Sequence, residues 1–114
     1  MCWDKNSLIQ IDSNRIVVGG LKDITIVNVN KYIIESKINN EKLNCVYSLM
    51  KLGENYVLCG CEEGIVCLCD ILAKTIIKKI KIHDKHINDL LYLNVNHFIS
   101  CSSDKTIKVW EWEK

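Results

Sequence analysis

With 114 residues, 48% of them apolar and 25% charged, and a net charge of +1, the chain has the balance of one small globular domain. That balance argues against a disordered tail or an apolar membrane span, and it leaves no excess charge to hold nucleic acid or a lipid surface. Asp4 and Lys5 stand where a secretory signal would need an unbroken apolar core, so a cytoplasmic protein is expected, with the nucleus left open. In such a compartment the seven cysteines are expected to be thiols.

From the N-terminus, an apolar stretch near Trp3 to Ile11 is followed by the turn residues Asp12, Ser13 and Asn14. A second apolar stretch through Ile16 then leads to a third, where Ile24 and Ile26 alternate with Thr25 and Val27. Period-two alternation of this kind predicts strands. "YIIESKI" supplies a fourth strand, and the pattern begins again. Gly53-Glu54-Asn55 and "TIIKKIKI" hold the same places in a second unit, and Asn94-Val95-Asn96 in a third, where only Glu113 and Lys114 follow Trp112. Leu8, Leu49 and Leu90 recur at intervals of 49−8=41 and 90−49=41, as do Ile16, Val57 and Phe98. Val27, Cys69 and Trp110 follow at 42 and 41. Three meanders of about forty-one residues predict the four-stranded blades of a β-propeller.

The third unit, "IHDKHINDLLYLNVNHFISCSSDKTIKVWEW", closely resembles a WD repeat: a histidine, a serine-rich second strand, an aspartate in the tight turn and a terminal Trp-acid pair. The resemblance implies that His83, Ser100, Asp104 and Trp110 form a hydrogen-bonded chain with a structural role, and that the protein is a scaffold contacting other proteins. Ile82 departs from the family's glycine before the histidine, and Glu111 from the aspartate of the dipeptide. In the second unit the four positions hold Lys42, Cys59, Glu63 and Cys69, and the first keeps only Val27-Asn28 as an echo of the dipeptide. The expected fold is all-β, a partial propeller of about eleven antiparallel strands. Blade one covers about residues 3–39, blade two about 44–82 and blade three about 83–114, the last lacking its outer strand. Three readings of such an arc stay open: a piece of a longer propeller, which is favoured, a dimer closing a six-bladed ring, or a partner's missing blades.

For chemistry, Cys59, Cys61, Cys67 and Cys69 lie at alternate positions of adjacent strands, where thiolates on one face could hold zinc. Alignment of the repeats sets Cys59 against Ser100 and Val18, and Cys69 against Trp110 and Val27, which are packing positions, so a metal module is only the alternative reading. His86 and His97 sit near turns with no nucleophile at a recognisable spacing, and Glu62 and Glu63 occupy a hairpin turn without a cleft. No catalysis and no cofactor are expected. Partner contacts are expected at the loops between blades: Asp84, Lys85 and His86, and Asn39 and Asn40.

Overall fold

The computed structural model describes residues 5–39 and 45–111, and it shows no helix long and apolar enough to cross a membrane. Apolar and polar side chains alternate to opposite faces of extended backbone, and eleven strands result among the described residues. They are β1 (Lys5–Gln10), β2 (Arg15–Gly20), β3 (Asp23–Asn28) and β4 (Ile33–Asn39), then β5 (Val46–Lys51), β6 (Tyr56–Cys61), β7 (Ile65–Asp70) and β8 (Thr75–Lys81), and finally β9 (Ile87–Asn94), β10 (His97–Ser102) and β11 (Ile107–Glu111). Each group forms its own antiparallel sheet in chain order, the first two of four strands and the third of three. These are propeller blades, arranged in an open arc.

Short-range polar chemistry closes the turns. Asp12 Oδ1 accepts the backbone N–H of Asn14 and of Arg15, both at 2.8 Å, between β1 and β2. Between β3 and β4, Asn28 Oδ1 accepts from the N–H of Asn30 at 3.0 Å, and Asp70 Oδ1 does the same for Ala73 between β7 and β8. In blades one and two the last residue of the third strand therefore caps the next turn.

Strand register sorts the side chains into rows. Ile9, Val17 and Ile26 are directly opposed across blade one, as Met50, Leu58 and Leu68 are across blade two and Leu91, Ile99 and Val109 across blade three. The opposite faces carry Leu8 and Val18, then Leu49, Cys59 and Cys67, then Leu90, Ser100 and Lys108. Two cores follow. Ile9, Val17, Ile24 and Ile26 of blade one pack with Val57, Cys59, Cys67 and Cys69 of blade two. Met50, Leu58 and Val66 on the other face of blade two pack with Ile87, Leu90 and Phe98 of blade three. Blade two is thus buried on both sides. Gly19 and Gly60 mark close approaches of successive blades, since a Cβ there would lie 2.6 Å from Cγ1 of Val46 and 2.8 Å from Cγ2 of Ile87 respectively, each in the next blade.

Cys45 corrects the expectation of thiols throughout: it is disulfide-bonded, whereas Cys59, Cys61, Cys67, Cys69 and Cys101 are free. Pairing depends on a second sulfur within bonding reach, which sequence spacing does not reveal.

Candidate functional site

The polar centre of blade three is built from four segments. His83 enters from the connection after β8, Ser100 from the middle of β10, Asp104 from the β10–β11 turn and Trp110 from β11. Trp110 Nε1–H donates to Ser100 Oγ at 2.9 Å, and Ser100 Oγ lies 2.7 Å from His83 Nε2. Because that oxygen already accepts from the indole, its own hydrogen is free to go to Nε2, and the ring then carries its proton on Nδ1. Nδ1 lies 2.9 Å from Asp104 Oδ2. His83 and Ser100 are buried, at 3% and 0% exposure, so each link satisfies a group that would otherwise be costly to desolvate.

Asp104 also accepts the backbone N–H of Asp84 at 3.1 Å and of Thr106 at 2.9 Å, and the Thr106 hydroxyl bonds the same carboxylate. That hydroxyl, followed by the Asp84 N–H and His83, holds the Asp104 carboxyl well below the usual carboxylate range. Thr106 also lies 2.9 Å from His83 Nδ1. Sequence reasoning missed Thr106 and Ser102, whose hydroxyl lies 3.0 Å from the Lys85 carbonyl and 2.9 Å from that of His86. The signal was available in "SSDKT", a dense run of short hydroxyl and carboxylate side chains.

Of the loop residues predicted to meet partners, Asp84 and Lys85 are exposed. His86 stacks on Tyr47, with ring centroids 4.4 Å apart, and its Nε2 lies 2.9 Å from Ser103 Oγ. The fold thus forms a Ser-His pair that spacing did not suggest; among the described residues, no carboxylate bonds the second ring nitrogen to orient it. Asn39 is exposed at the end of β4, and Asn40 lies outside the described residues. His97 begins β10 and bonds Asn94 Oδ1 at 3.0 Å.

The four strand cysteines do share one face. Cys59 and Cys69 sulfurs are 3.7 Å apart and Cys61 and Cys67 sulfurs 4.0 Å apart, all fully buried against blade one. The thiol–thiol bond to Cys69 together with burial pushes the Cys59 thiol up, and the bond to Cys67 together with burial does the same for Cys61. Such thiols pack as small hydrophobes. Among the described residues no group of three or more His, Cys, Asp or Glu side chains is arranged to hold a metal. An apolar cleft of about 540 Å³ lies where the first strands of the three blades converge, lined by Ile9, Leu49, Met50, Leu90, Leu91 and Tyr92, among others.

The network of blade three coincides with the match to a family model described as "WD domain, G-beta repeat", over residues 74–111. WD repeat-containing protein 55 of Arabidopsis thaliana is 38% identical over 72 residues, which is 62% of this chain and 20% of that protein. Among solved structures, the WD40 β-propeller domain of Doa1 superposes with a TM-score of 0.82 at 15% identity, over 96% of this chain.

Residues 74–111 match a WD repeat, and the chain as a whole has the fold of WD40 propeller blades.

The RRP9 WD40 repeats are similar at a TM-score of 0.81 and 16% identity, over 95% of this chain. Cell division control protein 4 of Saccharomyces cerevisiae is 23% identical over 84 residues, 74% of this chain. The chain spans 20% and 11% of the two curated relatives, and 37% and 35% of the two solved chains. WD40 propellers of this kind serve in general as protein-interaction scaffolds.

Proposed function

We propose that this WD40 chain is a non-catalytic scaffold, part of a larger propeller assembly in the cytoplasm or nucleus, that contacts other proteins through its inter-blade loops. The observation that carries this reading is the use of the polar residues: His83, Ser100, Asp104 and Trp110 bond one another and are committed to holding the blade. Asp84 and Lys85 remain exposed beside that rigid centre, where loop side chains are held ready for a partner without ordering cost.

The test compares wild type with an Asp84→Ala, Lys85→Ala double variant in proximity labelling and affinity capture. Proteins that label the wild type and are lost from a variant of unchanged melting temperature support the reading. Identical sets overturn the loop assignment. One zinc per purified chain would replace the scaffold with the alternative of a cysteine-rich metal module on Cys59, Cys61, Cys67 and Cys69.

A further inference from the structure

Blade two carries a row of cysteines where blade three carries its polar centre. Cys59, Cys61, Cys67 and Cys69 stand 41 residues before Ser100, Ser102, Lys108 and Trp110, as in 100−59=41. In place of hydroxyl and indole, blade two sets sulfur against sulfur, in two contacts across the β6–β7 hairpin. The two contacts are not alike. Cys61 ends β6 beside the turn, 4.0 Å from Cys67 on β7, and the β7–β8 register sets Cys67 directly opposite Lys79, on the same face of the sheet. The Cys61 thiol donates to the Cys67 sulfur, and that bond, followed by the Lys79 ammonium, holds the Cys67 thiol below its usual range against the effect of burial. The same bond together with burial pushes Cys61 up. One sulfur of the pair therefore favours the thiolate while its neighbour keeps its proton.

We propose that Cys67 and Cys61 are a site of oxidative modification: a hydroperoxide oxidises Cys67, and Cys61, 4.0 Å away, closes a disulfide across the hairpin. The Cys67 thiolate attacks one peroxide oxygen, the O–O bond breaks, and the departing hydroxide takes up the proton that Cys67 gave up and leaves as water. Cys67 is then a sulfenic acid. The Cys61 sulfur attacks the Cys67 sulfur, the S–O bond breaks, and the leaving hydroxide takes the Cys61 proton as a second water. Two thiols have lost two electrons, and one peroxide has gained them.

Cys67 is 0% exposed, so the reaction waits on an opening of the blade. The strand that covers it from the rim is β8, which pairs with β7 alone and has six of its seven residues exposed. An outer strand of this kind opens before the core strands do, and a peroxide is small and uncharged. Closing the bond draws the sulfurs from 4.0 Å to the roughly 2.05 Å of a disulfide. The cysteine row packs in one core with Val17, Ile24 and Ile26 of blade one, so the bond changes the contact between the two blades. This inference stands apart from the scaffold reading, which concerns the inter-blade loops.

The experiment treats the folded 114-residue chain with hydrogen peroxide, caps remaining thiols with N-ethylmaleimide and digests it unreduced with a glutamate-specific protease. Cleavage after Glu62 and Glu63 separates Cys59 and Cys61 from Cys67 and Cys69, so a bridge appears as two joined peptides, lighter by two hydrogens than the two thiols. The expected product places the bond between Cys61 and Cys67 by fragmentation, and dithiothreitol releases it. In Cys61→Ser the sulfenic acid on Cys67 persists and is captured by dimedone, and Cys67→Ser loses both products; circular dichroism verifies that each variant folds, and the wild-type peptide map decides alone if one does not. The half-buried thiol of Cys101 gauges the peroxide dose. No joined peptides at a dose that oxidises Cys101 overturn the inference, and so does a bridge that links Cys59 to Cys69 or one that forms only in urea. Any of these leaves the scaffold reading intact, since that reading fails on zinc content or on unchanged labelling.

Discussion

Trp110 contributes one hydrogen bond and His83 contributes two acceptor or donor positions, so their removal should differ in size. Trp110→Phe keeps the ring and loses the 2.9 Å bond to Ser100, at a cost of about 1 kcal/mol in urea denaturation. His83→Ala leaves both Ser100 and Asp104 without their partner and opens a cavity, and should cost about 3 kcal/mol. Asp104 predicts a pH dependence. Its folded pKa lies below the unfolded carboxylate value of about 3.9, so unfolding takes up a proton in that range. Its contribution is present above pH ~4 and is lost as pH falls below it. Melting temperatures between pH 5 and 2 should therefore drop more steeply in wild type than in Asp104→Asn. The four residues of this network were legible from their resemblance to a known repeat. Thr106 was not, because a threonine before a strand is ordinarily just a strand residue, and only the fold brings its hydroxyl to both His83 and Asp104.

At the scale of the element, hairpin geometry constrains the turn that joins β6 to β7. Glu63 and Gly64 both have positive φ, at +63° and +75°, and the Gly64 carbonyl accepts from the N–H of Ile82 at 2.8 Å. A Cβ on Gly64 would fall on the His83 carbonyl. Gly64→Ala should therefore cost more than the roughly 1 kcal/mol of an ordinary left-handed alanine, and thermal unfolding measures it. The outer strand β8 shows how an edge is kept soluble: Lys78, Lys79 and Lys81 are exposed along it, and charge on an open edge discourages pairing with other chains. In composition alone those lysines read only as a solvated face.

For the whole molecule, equivalent positions have different energies because blade two contributes to two cores and blade three to one among the described residues. Met50 and Leu91 stand 41 residues apart at equivalent places in their blades, at 4% and 59% exposure. Met50→Ala should cost about 2–4 kcal/mol, while Leu91→Ala in the monomeric chain should stay within about 0.5 kcal/mol, both read from denaturation midpoints. Sequence by itself determined the strands, the forty-one-residue period and the blade with a complete polar network. Alternation and repeat spacing are local properties, and each blade satisfies its own backbone with hairpin neighbours. Only the tertiary structure decided that the Cys59 and Cys69 sulfurs, and those of Cys61 and Cys67, are brought together in a buried row against blade one, that His86 stacks on Tyr47 beside Ser103, and which apolar rows are covered. Those facts depend on which face of one blade meets the next, and an alternating strand is apolar toward its neighbour whether or not that neighbour is present.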